Sequence, residues 1–337
     1  MAPNKKNKNK NKNKPLPLVS LCTPTFNRRP FFNALIKSIE NQDYPKNLIE
    51  WIIVDDGSDK IEDLVKDIDF VKYYSYDEKL KLGNKRNIMH DKCDGDIIIY
   101  FDDDDYYPPE RISHAVKMLQ THPKALCGGS SELNIYFNDL NKIIKFGPYG
   151  EKHATAGTFA FKKELLKTQR YKDDASLAEE KFFLNDYTIP FVQFESKKTI
   201  LVVAHSQNTF DKRKLLNNLD KKGSNVNTSD LLIDNLINDQ SLLHFYKTEI
   251  HELLLNYKEG DPGLKPDVMS ETKKILERLN KPKETKQFTS IEYKDENIVA
   301  TIDNEEVVLT NKQIYSIFVN YENEKKMLIE KLNSMQK

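Results

Sequence analysis

Apolar residues in the first half of this chain gather into short, mainly apolar runs, and each run stops abruptly at a polar cluster. Leu18-Val19-Ser20-Leu21-Cys22 leads into Thr23-Pro24-Thr25-Phe26-Asn27-Arg28, and Ile49-Glu50-Trp51-Ile52-Ile53-Val54 into Asp55-Asp56-Gly57-Ser58. Ile97-Ile98-Ile99-Tyr100-Phe101 leads into four aspartates, Asp102 to Asp105. Runs of this length and β-branched content predict buried strands. Between them the spacing predicts helices from about Pro30 to Asp43 and from Leu82-Gly83-Asn84-Lys85-Arg86-Asn87 to about Cys93, with another starting near Pro108-Pro109-Glu110. Strands alternating with helices imply an α/β fold with a mostly parallel sheet, whose ligands sit outside the carboxyl ends of the strands. The three polar clusters then share one edge.

The acidic run carries the most chemistry. In an extended segment Asp102 and Asp104 point the same way, with α-carbons roughly 6.6 Å apart at about 3.3 Å rise per residue. Such crowded carboxylates need relief from solvent or a cation, and their hard oxygens favour magnesium, manganese or calcium over zinc. Taken alone, the run reads better as a solvated loop with Asp105 capping the next helix, and only the other two strand ends change that. The helix start at Lys85 and Arg86 could face a polyanion through its amides and cations, or be an exposed basic first turn.

Further along, a strand over residues 125–127 ends at Gly128-Gly129-Ser130-Ser131, and residues 155–161 read as a strand followed by a short helix from Lys163. A helix is expected over 176–184 and a strand over 199–204, leading into His205 and on to Lys212-Arg213. Past Arg213, residues 215–229 are polar and read as a linker or mobile loop. Residues 231–257 have helical spacing, broken at Glu259-Gly260-Asp261-Pro262-Gly263 before a helix over about 268–279. Residues 288–293, 298–302 and 307–309 alternate as a small antiparallel meander, and a last helix spans about 311–334. The expected organisation is a basic low-complexity tail (1–14), an α/β domain (15–213), a helical extension (214–286) and a C-terminal α+β appendage (287–337). That appendage would pack on the core or on a second subunit in a homo-oligomer, or else shape an acceptor site.

Composition narrows the partners. The 52 basic and 52 acidic residues of the 337 balance to zero, so no global field draws the chain to nucleic acid. No run of about eighteen apolar residues exists to form a transmembrane helix. The first fourteen residues lack the apolar core of a signal peptide, which implies a cytoplasmic location. The three cysteines are an odd number and suit a reducing compartment. His251-Glu252 lacks the second histidine of a zinc protease helix, since position 255 is leucine.

Thr23-Pro24-Thr25-Phe26-Asn27-Arg28, Val54-Asp55-Asp56-Gly57-Ser58, Gly83-Asn84-Lys85-Arg86-Asn87 and Phe101-Asp102-Asp103-Asp104-Asp105, in this order and spacing, resemble family 2 glycosyltransferases with the GT-A fold. The resemblance covers about residues 16–213, and the later motifs look like those of glycosyltransferases encoded by large DNA viruses. It implies a Rossmann-like nucleotide-binding domain and an inverting transfer from a nucleotide-sugar donor, a UDP-sugar, to a hydroxyl acceptor on a glycan, with a divalent cation (Mn2+ or Mg2+). It places Thr23, Pro24, Thr25 and Asn27 near the base, with Asp55 or Asp56 accepting its imide hydrogen and Lys85 and Arg86 against the nucleotide. Asp102 would lie nearer the ribose and Asp104 on the metal, with Asp103 in the variable place. Four contiguous aspartates leave that register open by one residue, so Asp105 is also a candidate ligand. His205 would complete the metal shell, with Lys212 and Arg213 on the diphosphate. Gly129 would let a sugar approach the backbone, or simply form a turn.

Inverting members carry a Glu-Asp pair whose second carboxylate takes the acceptor proton. Here Glu179-Glu180 stands in its place, with Glu180 where aspartate is usual, and Asp173 and Asp174 are the back-up bases. Two rivals remain. A sugar-nucleotide pyrophosphorylase would carry a glycine-rich loop after the first strand, where this chain has none. An inactive relative would bind nucleotide or metal without turnover.

Overall fold

A computed structural model describes residues 15–177, 180–208, 211–221, 223–280, 288–294, 297–302 and 305–311, with isolated positions from 314 to 325. The basic tail, Glu179 and most of the expected last helix lie outside the described residues. The chain divides into two compact units, 1–273 and 274–337.

The first unit begins with β1 (Val19–Thr25), α1 (Arg29–Glu40), β2 (Ile49–Asp55), α2 (Glu62–Val65), β3 (Val71–Ser75), α3 (Leu82–Lys92), β4 (Ile97–Tyr100) and α4 (Arg111–Thr121). Then come β5 (Cys127–Gly129), β6 (Leu133–Phe137), β7 (Lys142–Phe146), β8 (Ala160–Lys162), α5 (Glu180–Phe183), β9 (Phe191–Gln193), β10 (Leu201–Ala204) and β11 (Val226–Thr228). Helices α6 (Gln240–His244), α7 (Ile250–Asn256) and α8 (Pro266–Asn280) follow.

The main sheet has the order β3-β2-β1-β4-β8-β5-β9. Its first four strands are parallel, and β8 runs antiparallel between β4 and β5. Chain order reverses at β1, whose neighbours are β2 and β4, so the crevice of a doubly wound sheet opens beside their carboxyl ends. Register brings those ends level: Cys22 pairs with both Ile52 and Tyr100, and Thr25 with Asp55. The fold is therefore mixed α/β with a mostly parallel central sheet, as the apolar runs imply.

Apolar side chains fill both faces of this sheet. One face buries Val19, Leu21, Trp51, Ile53 and Ile99 against α1 and α4, with Trp51 stacked on Phe32 at 6.4 Å. Pro30 opens α1, and its buried Phe31, Phe32, Leu35 and Ile39 recur at helical spacing. The other face buries Cys22, Ile52, Val54, Met89 and Phe161. All three cysteines are buried and free.

A second sheet, β10-β6-β7-β11, was not foreseen. The strand expected over 199–204 joins this sheet, pairing parallel to β6. β11 falls in the stretch read as a linker and pairs with β7, because Val226 buries against the core. Residues 156–158 form a 3-10 turn before β8 rather than one long strand, and the helix from Lys163 is also 3-10. Of the helix expected over 176–184, residues 176–177 are not helical and α5 spans Glu180–Phe183, with Asn185, Asp186 and Tyr187 in left-handed backbone just past its end. Residues 245–249 form a π-helical turn between α6 and α7.

In the second unit β12 (Phe288–Lys294), β13 (Asn297–Ile302) and β14 (Glu305–Val308) form the expected antiparallel meander. Among the described residues no helix is long and apolar enough to cross a membrane.

One buried residue makes the fold acid-sensitive. His90 places Nε2 2.7 Å from the Tyr100 hydroxyl, and burial, then the Arg86 charge, pushes its imidazole down to about 3. An unfolded histidine takes up its proton near 6.5, so between those values the unfolded chain binds more protons and stability falls as pH falls. One unit below 6.5 the cost is about 1.4 kcal/mol from this group. Urea midpoints should drop between about pH 7 and about pH 5.5, and His90→Gln should flatten that drop. An equal slope in wild type and variant would remove His90 from this role.

Candidate functional site

A cleft of about 220 Å³ opens at the carboxyl ends of β1 and β4, and Pro24, Lys85, Arg86, Asp102, Asp103 and Asp104 of the expected set line it. The acidic run separates into distinct environments. Asp104 Oδ2 lies 3.0 Å from His205 Nε2 and 3.9 Å from Arg28 Nε. Although burial acts the other way, the His205 hydrogen bond, with Lys212 and Arg28 beyond it, holds the Asp104 carboxyl well below the usual range. Asp103, 3.8 Å from Arg28 Nε, is pushed up to about 7 by burial and by Asp104. Asp105 turns inward, accepting from the Val203 amide at 2.9 Å, and burial and Asp104 push its carboxyl well above the ordinary value. That inward bond ties β10 to the end of β4 and takes Asp105 out of the cleft wall. Its expected role as a helix cap does not arise, since Glu110 is the N-cap of α4.

Crowding in the acidic run is thus relieved in part by protein. Arg28 is 3% exposed, and its guanidinium also donates to the Gln207 and Gly260 carbonyls at 2.8 and 3.3 Å. Its position was quoted within the first polar cluster, yet a lone arginine after a strand carries no local sign that it will be buried.

His205 is held by its surroundings. Its amide donates to Asn208 Oδ1 at 2.8 Å, its Nδ1 accepts from the Gln207 amide at 3.2 Å, and its ring lies 4.7 Å from Phe31. Burial pushes the imidazole down to about 4, so it is neutral near pH 7, with Nε2 set 3.0 Å from Asp104 Oδ2 and 2.7 Å from Asn208 Nδ2.

Metal binding can be judged on these groups. Among the described residues no three His, Cys, Asp or Glu converge to hold an ion. Asp104 and His205 nevertheless offer an ionised carboxylate and a neutral imidazole at one point. A pair of this kind fits a divalent cation, which Asp104 and His205 would hold together.

Several expected nucleotide contacts are committed elsewhere. Thr23 donates to the Phe101 carbonyl at 2.7 Å and accepts from Trp51 Nε1 at 2.9 Å, locking β1 to β4. Asp55 accepts from the Gly57 and Ile61 amides and from the Tyr73 hydroxyl at 2.9, 3.1 and 2.7 Å. Asp56 accepts from Lys85 Nζ at 2.5 Å and from the Leu80 amide at 2.6 Å. Asn27, left-handed at φ 52°, bonds Ser58, the Asp59 amide and the Glu259 carbonyl. These residues build the loops around the cleft. Thr25, buried, sets its hydroxyl beside Asp103.

At α3 the Gly83 amide donates to the Ala175 carbonyl at 2.9 Å, so that first-turn amide does not face the cleft as the helix-start reading implied. An added Cβ at Gly83 would meet the Lys172 carbonyl oxygen, so the crossing chain seals the helix start. Arg86 instead contributes its guanidinium, 4.9 and 5.0 Å from the Tyr100 and Tyr171 rings.

Gly129 is not opened to a sugar. A Cβ there would meet Thr158 Oγ1 at 2.7 Å and Ala154 at 2.9 Å, so the close approach is already filled by protein. Lys212 donates to the Val203 carbonyl at 3.1 Å, and Arg213 pairs with Asp139 at 2.9 Å. Both line a separate cavity of about 350 Å³ that also reaches His205, rather than the cleft. Glu180 accepts from the Ala156 amide at 3.2 Å, and the next residue, Gly157, abuts Asp102, with room for no Cβ within 2.5 Å of Asp102 Oδ2. Asp173 accepts from Asn87 Nδ2 at 2.7 Å.

Comparison with known proteins places this arrangement. A GalNAc(5)-diNAcBac-PP-undecaprenol beta-1,3-glucosyltransferase of Campylobacter jejuni is 29% identical over 191 residues, 50% of this chain and 59% of that protein. A poly(ribitol-phosphate) beta-N-acetylglucosaminyltransferase, TarS, of Staphylococcus aureus is 26% identical over 113 residues, 31% of this chain and 19% of that protein. The chain thus spans less than two thirds of either relative. The crystal structure of S. aureus TarS residues 1–349 superposes with a TM-score of 0.46 at 14% identity, covering 87% of this chain and 99% of that one. The model of glycosyl transferase family 2 matches residues 20–174, from β1 through the acidic run to the loop before α5, and it is this segment of the chain that is similar to that family.

Proposed function

We propose that this protein is an inverting glycosyltransferase that moves a sugar from a nucleotide-sugar donor, a UDP-sugar, to a hydroxyl acceptor. The observation that supports it most is the cleft at the β1 and β4 ends, where Asp102, Asp103 and Asp104 face Arg28, Lys85 and Arg86. Carboxylates and cations lining one wall suit a diphosphate with an accompanying cation. The two sequence relatives are by name a beta-glucosyl and a beta-N-acetylglucosaminyl transferase, which makes UDP-glucose and UDP-N-acetylglucosamine the donors to test first.

In this reading Asp104 and His205 hold manganese or magnesium. The ion supplies Lewis-acid stabilisation of the leaving nucleoside diphosphate. The chain's own groups do the rest. Arg86, fixed between two tyrosine rings, faces the donor, and Asp102 orients it near the ribose. Glu180 takes the proton from the acceptor hydroxyl as its oxygen bonds the anomeric carbon and the bond to the diphosphate breaks, inverting that carbon.

The test is release of UDP from UDP-glucose or UDP-N-acetylglucosamine by the purified full chain with manganese. Release that depends on protein and stops with chelator is the expected result. Thermal stabilisation by these donors with no UDP released would instead mark an inactive binder.

A further inference from the structure

The cleft holds a cation from outside the family-matched segment. Lys265 lines it beside Phe26 and Arg28, with Nζ 5.5 Å from the Phe26 ring. The chain that carries Lys265 is fastened on both sides. Before it, the Glu259 carbonyl accepts from Asn27 at 2.8 Å, the Gly260 carbonyl accepts from Arg28 at 3.3 Å, and the Tyr257 hydroxyl donates to Asp59 at 2.8 Å. After it, Asp267 accepts from Lys79 at 2.5 Å, and from Lys81 and the Ser176 hydroxyl at 3.1 Å.

These bonds fix the segment against loops following β1, β2 and β3, and they hold the Lys265 side chain over the cleft. Among the described residues no group makes a hydrogen bond or an ion pair with its ammonium. Burial, then the Arg28 charge, pushes that amine down to about 7, with Asp103 acting the other way. A lysine held in a part-buried cleft with cations for neighbours is a position that an incoming anion would stabilise.

We propose that Lys265 binds the diphosphate of the nucleotide donor in the cleft that it lines together with Arg28, Lys85 and Arg86. This rests on the donor reading above and adds a contact supplied by the segment after α7. The ammonium would pair with phosphate oxygens, the Phe26 ring would wall the site, and the Asp267 bonds would keep the lysine stem in place.

Calorimetric titration of the full chain with UDP and with uridine tests it, using wild type, Lys265→Met and Lys265→Arg. Loss of a charged hydrogen bond predicts UDP binding weaker by about tenfold to a hundredfold in Lys265→Met. Uridine binding should be unchanged, and Lys265→Arg should retain most of the UDP affinity. Equal UDP affinity in wild type and Lys265→Met would overturn the proposal while leaving the donor reading intact. Equal weakening of UDP and uridine would also overturn it, since that is the mark of a merely structural lysine. Failure of wild type to bind UDP would remove both readings together.

Discussion

Asp104→Ala is expected to lower turnover of a UDP-sugar roughly a thousandfold, the loss that follows when several kcal/mol of leaving-group stabilisation disappears. Asp104 contacts His205 at 3.0 Å, and its surroundings hold it ionised. Removing it takes away the anionic half of the pair that would hold the cation, and leaves His205 Nε2 with Asn208 alone. Steady-state rates across a manganese titration measure the effect, with circular dichroism confirming that the fold persists. A rate within about threefold of wild type would put the cation elsewhere. Asp105→Asn is the informative contrast. Its carboxylate bonds Val203 inside the protein, so that change should alter stability more than the response to manganese.

Glu180→Gln is the second large effect: kcat should fall by about a hundredfold to ten-thousandfold, as expected for loss of a general base, with UDP affinity within about twofold of wild type. Glutamine can keep the bond to the Ala156 amide, so the variant removes the proton acceptor and little else. The split between rate and binding is the decisive readout, because a structural glutamate would not produce it. Retained activity would move the base to Asp174 or to Asp173, which already accepts a hydrogen bond from Asn87.

The sheet edge was legible because β1, β2 and β4 are buried on both faces and their sequences show it as mainly apolar runs. The second sheet was not. β6 and β7 mix apolar with polar residues over only five positions each, and such short strands gain their identity from pairing with each other and with β10. Within the site, the aspartates announced themselves by charge density, whereas their division of labour depends on which tertiary neighbour each meets. Asp105 meets a backbone amide, Asp103 a buried arginine, Asp104 a histidine a hundred positions away in sequence. Thr23, Asp55 and Asn27 lie at or near the ends of β1 and β2, as expected, but internal hydrogen bonds take up their polar groups. Periodicity cannot foretell that, because the partners come from β2, β3 and the segment at 259. Lys265 gave no signal at all, since its setting is made by bonds to residues far away along the chain.

Fastening of residues 257–268 across the cleft sets a lower limit on the smallest fragment that can work. The family-matched span ends at residue 174, yet a protein cut there would leave Asn27 and Arg28 without the carbonyls of Glu259 and Gly260. Proteolytic trimming should therefore spare activity only while the chain still reaches Asp267, and cleavage inside 257–268 should inactivate it with the main sheet still folded.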